Sequence, residues 1–465
     1  MLQSVRLTGF ITYSFRTIKS ALLRNGQDCF EISINCAGQF SVRIDDKWPV
    51  ISPNSAPTTM KSLNGSGTIR QALEAPPKPS RKPRICMPSG RNFKKEIFLS
   101  SHYEAQDVLV GVDDVELISL EPGPSYDFRD KWQRKLMFRD FTRRLIFMNP
   151  GLQKIKLARE YDVFLVRCQT EKDLPDINAI EGWKEHCKTS VCWIDELWVA
   201  QLPKDKYWLH MFKEFDYIFV GLSETVDPLS KAIDRPVHWL PGGVDALRFT
   251  PYPTPPSRVI DVYSIGRRRE EVHQRLLQAA ESMENFYIYD TSAGSMSELY
   301  DHRQHRDLFA NIAKRSRYFM VAPGKMDDFA GMQGQSVVGY RYYEGAAAGA
   351  VMIGQAPNGQ TFRQMFPWPD AVIPIQPDGS DVLEVLAQLA SDPARLSMAS
   401  QRNAIGALLH FDWVYRWKEV LKAAGLEPSP GMVSRESHLK ALAAKIAGLQ
   451  TEGSLSNAAF EAGCP

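Results

Sequence analysis

The segment RYYEGAAAGAVMIG, residues 341–354, sets Glu344 ahead of a run of small side chains that then turns β-branched. A carboxylate accepts two hydrogen bonds at once, which suits a pair of hydroxyls. From Gly345 to Ala350 the bare chain lets a ligand or a neighbouring strand approach the backbone, and the amides of a helix start favour an anion. A surface glutamate before a tightly packed helix is the competing reading. A second concentration of chemistry is SIGRRREE, residues 264–271, after a strand pattern and at the start of a helix. Arginines at the positive end of a helix are poorly placed for stability, which favours a ligand over a solvated run. Acid–base candidates are His102, after EIFLSS (96–101), and Asp195 with Glu196, after SVCWI (190–194). At a strand's carboxyl end, a base near neutral pKa takes a proton from a hydroxyl; a helix cap or polar loop contact is the alternative for each. Gln169 and Thr170 in RCQTEKD are similarly placed for binding hydroxyls.

These residues need elements to hold them. From Lys95 onward, apolar runs of strand length alternate with helical periods: EIFLSS, VELISL (115–120), YDVFLVRC (161–168), SVCWI and DYIFVG (216–221). None alternates strictly, so each suits a strand covered on both faces in a parallel sheet. The prolines of HWLPGGVDALRFTPYPTPPSR mark a boundary near 248–257, after which VIDVYSIG, FYIYD, YFMVAP, AVMIG and AVIPI restart the pattern. The spacing predicts two doubly wound Rossmann-like α/β domains facing across a cleft, joined by a hinge. Residues 1–92 read as a small N-terminal extension with a strand pair and a Pro-rich linker, 93–247 as the first domain, 248–427 as the second, and 428–465 as a C-terminal helix and tail. Ligands of such sheets bind outside the strands' carboxyl ends, which places the site in the cleft.

A length of 465 residues exceeds what one core usually organises, and 44% apolar with 24% charged residues describes a soluble globular chain. The net charge of +2 gives no argument for nucleic acid, and none is expected as a partner. Seven scattered cysteines without CxxC pairs fit reduced thiols and a cytoplasmic setting. No run approaches the roughly 20 apolar residues that span a bilayer, and the amino-terminal segment lacks the apolar core of a signal peptide. The segment 130–145, with six basic and two acidic residues among apolar ones, fits peripheral membrane contact or, more simply, an amphipathic helix with a solvated basic face. His302 and His305 share a helical spacing, but their charged neighbours read as a solvated helix, and no metal site is expected. GxGxxG, Walker A and HExxH motifs are absent from the sequence.

LPGGVDALRFTP, DVYSIGRRREEVHQRLL and RYYEGAAAGAVMIG, in this order and spacing, resemble the C-terminal, donor-binding half of group 1 glycosyltransferases of the GT-B fold, over residues 235–425. The resemblance implies transfer of a sugar from a nucleoside-diphosphate sugar to an acceptor hydroxyl, without a metal or other cofactor. The acceptor it implies is a glycan, a lipid-linked molecule or a small molecule. Glu344 would then hold the ribose hydroxyls, Gly266 would admit the donor, and Arg267 or Arg268 would neutralise the diphosphate. The family's second cation is a lysine several residues on; Glu271 to Gln274 supply none, and Lys325 in APGKMDD is the candidate substitute, with an exposed loop lysine as the blander reading. Arg341 reaches either a phosphate or its own helix's carboxylate. Many retaining members carry an acid eight residues before the ribose glutamate, where this chain has Ser336, with Asp327 and Asp328 further upstream. A GT-B nucleotide-sugar epimerase and a non-catalytic sugar-binding or assembly module are the alternatives.

Overall fold

The computed structural model describes residues 31–34, 40–43, 83–136, 145–202, 208–282, 284–290, 299–326 and 331–461. Two compact units divide the chain, Met1–Lys78 and Pro79–Pro465. In the first, Glu31–Ile34 and Phe40–Arg43 pair antiparallel, as the alternation there predicts. The Pro-rich linker text before residue 83, Asp327, Asp328 and residues 137–144 of the basic segment 130–145 lie outside the described residues.

The second unit carries two large parallel sheets, besides a two-stranded parallel pair of Ile155–Lys156 with Ile180–Glu181. The first contains β1 (Ile85–Ser89), β2 (Val115–Ser119), β3 (Tyr161–Cys168), β4 (Cys187–Ile194), β5 (Tyr217–Val220) and β6 (His238–Trp239), in the order β6-β5-β4-β3-β1-β2. The second contains β7 (Ile260–Ile265), β8 (Tyr287–Asp290), β9 (Ser316–Val321), β10 (Val351–Gly354) and β11 (Ile373–Pro374), in the order β8-β7-β9-β10-β11. Each order reverses direction once, between β1 and β3 and between β7 and β9, which opens a crevice at the strands' carboxyl ends.

The unbroken apolar runs have the expected cause. In β3, Val163 and Leu165 enter one core cluster while Phe164 and Val166 enter another; in β4, Val191 and Trp193 separate likewise from Cys192 and Ile194. Both faces are covered, so alternation has no role. EIFLSS is different: Ile97–Leu99 form a single 3₁₀ turn and Ser100 begins helix α1 (Ser100–Val112). The place expected for that strand belongs to β1, inside what reads as linker. Its register with β3 covers only Ile85 and Cys86, short of Pro88, which has no N–H to donate.

Further helices are α2 (Glu270–Glu281), α3 (His302–Lys314), α4 (Tyr340–Ala347), α5 (Pro393–His410), α6 (Trp413–Ala423) and α7 (Pro430–Glu461). They fasten the domains together. One core cluster runs from Val163, Leu165 and Trp193 through Phe249 to Tyr342, Ala346 and Trp417. Trp417 donates from Nε1 to Ala105 O at 3.0 Å, and Ser429 donates to Val112 O at 2.5 Å, so the chain returns to α1 after completing the second domain. The crossing segment is pinned where Val244 N donates to Phe411 O and Trp413 N to Val244 O. A shared apolar interface of this kind resists relative motion, so a free hinge is not what the prolines provide. No helix among the described residues is long and apolar enough to cross a membrane.

A methyl group added at Gly431 would lie 2.4 Å from Val112 O, whereas one added at Gly448 meets nothing within 4 Å. Urea denaturation is expected to show Gly431→Ala less stable by about 1–3 kcal/mol. Gly448→Ala, on the same helix, should be more stable by about 0.5–1 kcal/mol. Equal responses would contradict the packing of α7 against α1.

Candidate functional site

Between the carboxyl ends of the two sheets lies a cleft of about 900 Å³. The first domain contributes Gln169 and Thr170 after β3, then Asp195, Glu196 and Trp198 after β4. From the second come Gly266 to Glu270 after β7, Lys325 after β9, Gln355 after β10, and Gly339 to Arg341 at the start of α4. Two helices begin at this cleft without a side-chain cap, α2 behind Arg269 and α4 behind Gly339, which leaves their first amides to an incoming acceptor.

Five cations line the space: Arg267, Arg268, Arg269, Lys325 and Arg341. Gly266 takes φ +84°, and a side chain there would stand 3.5 Å from the Arg341 guanidinium. Arg268 reaches Glu270 through Nε at 3.2 Å, but its Nη1 is buried without a hydrogen-bond partner. Arg269 donates from Nη2 to Gln355 Oε1 at 2.8 Å, and its Nε is likewise buried and unpaired. Buried guanidinium donors without acceptors are costly unless a ligand supplies them. Arg269 is a site residue that the sequence reading passes over, although it closes the same RRR run.

The carboxylates divide sharply. Asp195 lines the cleft, but Arg167 holds it at 2.5 and 3.2 Å and the Tyr340 hydroxyl donates to it at 3.0 Å. Arg167 and Tyr340 are further residues that the motifs do not single out. Burial, with the Asp195 charge beside it, holds the Tyr340 hydroxyl well above its usual range. Glu196 is the accessible acid on the first domain's side: its Oε1 accepts from Trp198 Nε1 at 2.8 Å and lies 3.3 Å from Lys325 Nζ, across the cleft. Lys325 Nζ also sits 4.8 Å from the centre of the Trp198 ring. His102 is not at a strand end and does not line the cleft. It lies in α1, 6% exposed, with Nδ1 3.8 Å from Asp195 Oδ2, and burial together with Arg167 lowers its pKa. That depresses the charged form of a side chain that no acceptor could reach directly.

Glu344 is corrected most. It is 1% exposed and absent from the cleft wall. Arg306 Nη1 donates to Oε1, and Arg341 Nη1 donates to Oε2 at 2.5 Å. Burial alone would raise its pKa, but Arg341 and Arg306 outweigh burial and hold it below the ordinary value. Buried behind the cleft wall, it is closed to direct contact with ribose hydroxyls. Gly345 is also buried: a side chain there would come within 2.8 Å of the Phe319 ring and 3.0 Å of Met352 Sδ, so its bareness serves the strands and not a ligand. Ser336 lies outside the cleft lining and accepts from Asn358 N at 3.3 Å. No group of three or more His, Cys, Asp or Glu side chains among the described residues is placed to hold a metal ion; His302 instead contacts Asp107 Oδ2 at 2.9 Å.

No protein-family model matches the chain, and no curated protein matches it by sequence. Among solved structures it is similar to an α-glucosyltransferase in complex with UDP and a 13-mer DNA containing an HMU base, with 11% identity, a TM-score of 0.43, and coverage of 74% of this chain and 100% of that one. Anabaena Alr3699/HepE in complex with UDP gives 12%, 0.41, 74% and 100%. Two Rossmann-like domains facing a cleft are the GT-B architecture. At these identities the likeness concerns fold, and residue roles do not transfer. One expectation falls: the glucosyltransferase is bound to DNA, so a balanced net charge is no ground for excluding nucleic acid as a partner.

Because the pKa of Glu344 is depressed, its stabilising contribution is complete above the ordinary value of 4.5 and is lost as pH falls through the lower folded value. Glu344→Gln is expected to cost about 3–5 kcal/mol at neutral pH, because it breaks a buried ion pair, leaving Arg306 with Glu104 as its remaining carboxylate and Arg341 with none. The gap between the two denaturation midpoints should narrow on acidification below that value; a gap independent of pH would contradict the assignment.

Proposed function

We propose that this chain is a group 1-type GT-B glycosyltransferase that moves a sugar from a nucleoside-diphosphate sugar to an acceptor hydroxyl. The observation that carries the reading is the cationic wall of the cleft, where Arg268 and Arg269 keep buried donors unpaired beside Gly266, Arg341 and two uncapped helix starts. A diphosphate supplies the acceptors these groups lack, and arginine's fork matches its oxygens.

In the proposed reaction the acceptor oxygen bonds to the anomeric carbon while the bond from that carbon to the diphosphate oxygen breaks, and the electron pair leaves with the nucleoside diphosphate. Arg268, Arg269, Arg341 and the amides at the start of α4 stabilise the charge that develops there. In this reading Glu196 takes the acceptor's proton, since of the first domain's other candidates Asp195 is held by Arg167 and Tyr340 and His102 is buried. Lys325 keeps Glu196 company until a phosphate competes for its ammonium. Ser336 at the position of the family's second acid, and the occupied carboxylate of Glu344, support the second reading, a module that binds the donor without turnover.

A thermal-shift screen of nucleoside diphosphates and their sugars is expected to raise the melting temperature of the wild type, since a ligand bound only by the folded state stabilises it. Arg268→Gln/Arg269→Gln should abolish that shift. Release of nucleoside diphosphate only when an acceptor is added, with nucleic acids kept among the acceptors tried, supports transfer. Sugar isomerisation without acceptor points to an epimerase, and binding without release points to the module. A screen with no shift would contradict all three.

A further inference from the structure

The orientation of Arg341 can be traced back through the molecule. Its guanidinium faces Gly266 across the space where a side chain would stand and lies 4.9 Å from the centre of the Phe309 ring. One edge is fixed by Glu344, whose other oxygen is held by Arg306 on α3. Arg306 is 1% exposed and is itself gripped from the first domain: its Nε donates to Glu104 Oε2 at 2.7 Å and its Nη2 to Glu104 Oε1 at 3.0 Å. Glu104, on α1, is also 1% exposed, and its Oε1 accepts further bonds from Asp245 N at 2.9 Å and Trp413 Nε1 at 3.1 Å. Four side chains of alternating charge thus lead from helix α1 to the cleft wall, three of them sealed from water.

We propose that Glu104 and Arg306 are positioning residues that orient Arg341 through Glu344, so that a helix of the first domain sets how tightly the second domain holds an anionic ligand. The inference rests on reading the cleft as a diphosphate site. Neither residue touches that ligand. A planar guanidinium with two edges and two carboxylate partners has little orientational freedom, and neither do the groups it holds. Lysine at position 306 would keep the charge and lose the fork.

Calorimetric binding of inorganic diphosphate to the full chain tests this, with wild type, Arg341→Ala, Arg306→Lys, Glu104→Gln and the double variant Glu104→Gln/Arg341→Ala. Arg306→Lys and Glu104→Gln are each expected to weaken binding between about twofold and thirtyfold, the range of coupled positions. In the Arg341→Ala background, Glu104→Gln should produce no further loss, which a merely structural role would not predict. Should Glu104→Gln fail to fold, Arg306→Lys carries the test, with its melting curve confirming a folded state. Wild-type affinity in folded Arg306→Lys, or a full additional loss in the double variant, overturns the positioning role alone. A wild type that binds neither diphosphate nor any nucleoside diphosphate overturns the reading of the cleft as well.

Discussion

A buried ion must be answered by another, and much of this structure follows from one such requirement at Arg306. The guanidinium lies between Glu104 of the first domain and Glu344 of the second, with Phe249 and Phe309 near its faces. Removing any one member would leave a desolvated charge, so the domains are held at a definite separation and orientation. Two comparable bridges stand nearby. Arg167 and Asp195 meet Tyr340 at the cleft, and Arg435 of α7 ties Asp245 to Asp412. Apolar burial supplies the bulk attraction at the interface, while these charges specify where each element must sit.

That division explains the character of the cleft. Charges needed for architecture are paired and dry; those left at the wall are mostly cations, and two of them, Arg268 and Arg269, each keep a donor still to be satisfied. Arg341 belongs to both sets, since Glu344 takes one edge and the cleft receives the rest. Glu196 and Lys325 face each other from opposite domains, and both retain solvent access. A ligand entering here meets an electrostatic field already built and fixed, so little reorganisation is required when charge develops on it.

Much of the fold was legible in the sequence because parallel strands buried on both faces leave a plain signal. YDVFLVRC corresponds residue for residue to β3, and the turn from VIDVYSIG into an arginine-rich helix start was readable too. Strand β1 was not legible: five residues ending close to Pro88, preceded by Pro-rich text, look like linker. The site was legible as a region more than as a set of roles. SIGRRREE lies in the cleft, yet DHRQHRD reads as a solvated helix while Arg306 within it is buried. Its partner Glu104 is distant in sequence, and no local pattern announces a buried pair of that kind. Without it, Glu344 passes for a ligand-binding acid. Periodicity likewise placed His102 beside a strand that does not form.

The most direct test of the central claim is a crystal structure of the chain grown with a nucleoside diphosphate. The account predicts phosphate oxygens within hydrogen-bonding distance of Arg341 and of Arg268 or Arg269, near Gly266 N, with Glu344 still paired to Arg306. A diphosphate seated away from those arginines, or Glu344 swung out of its pair to take the ribose, would contradict it.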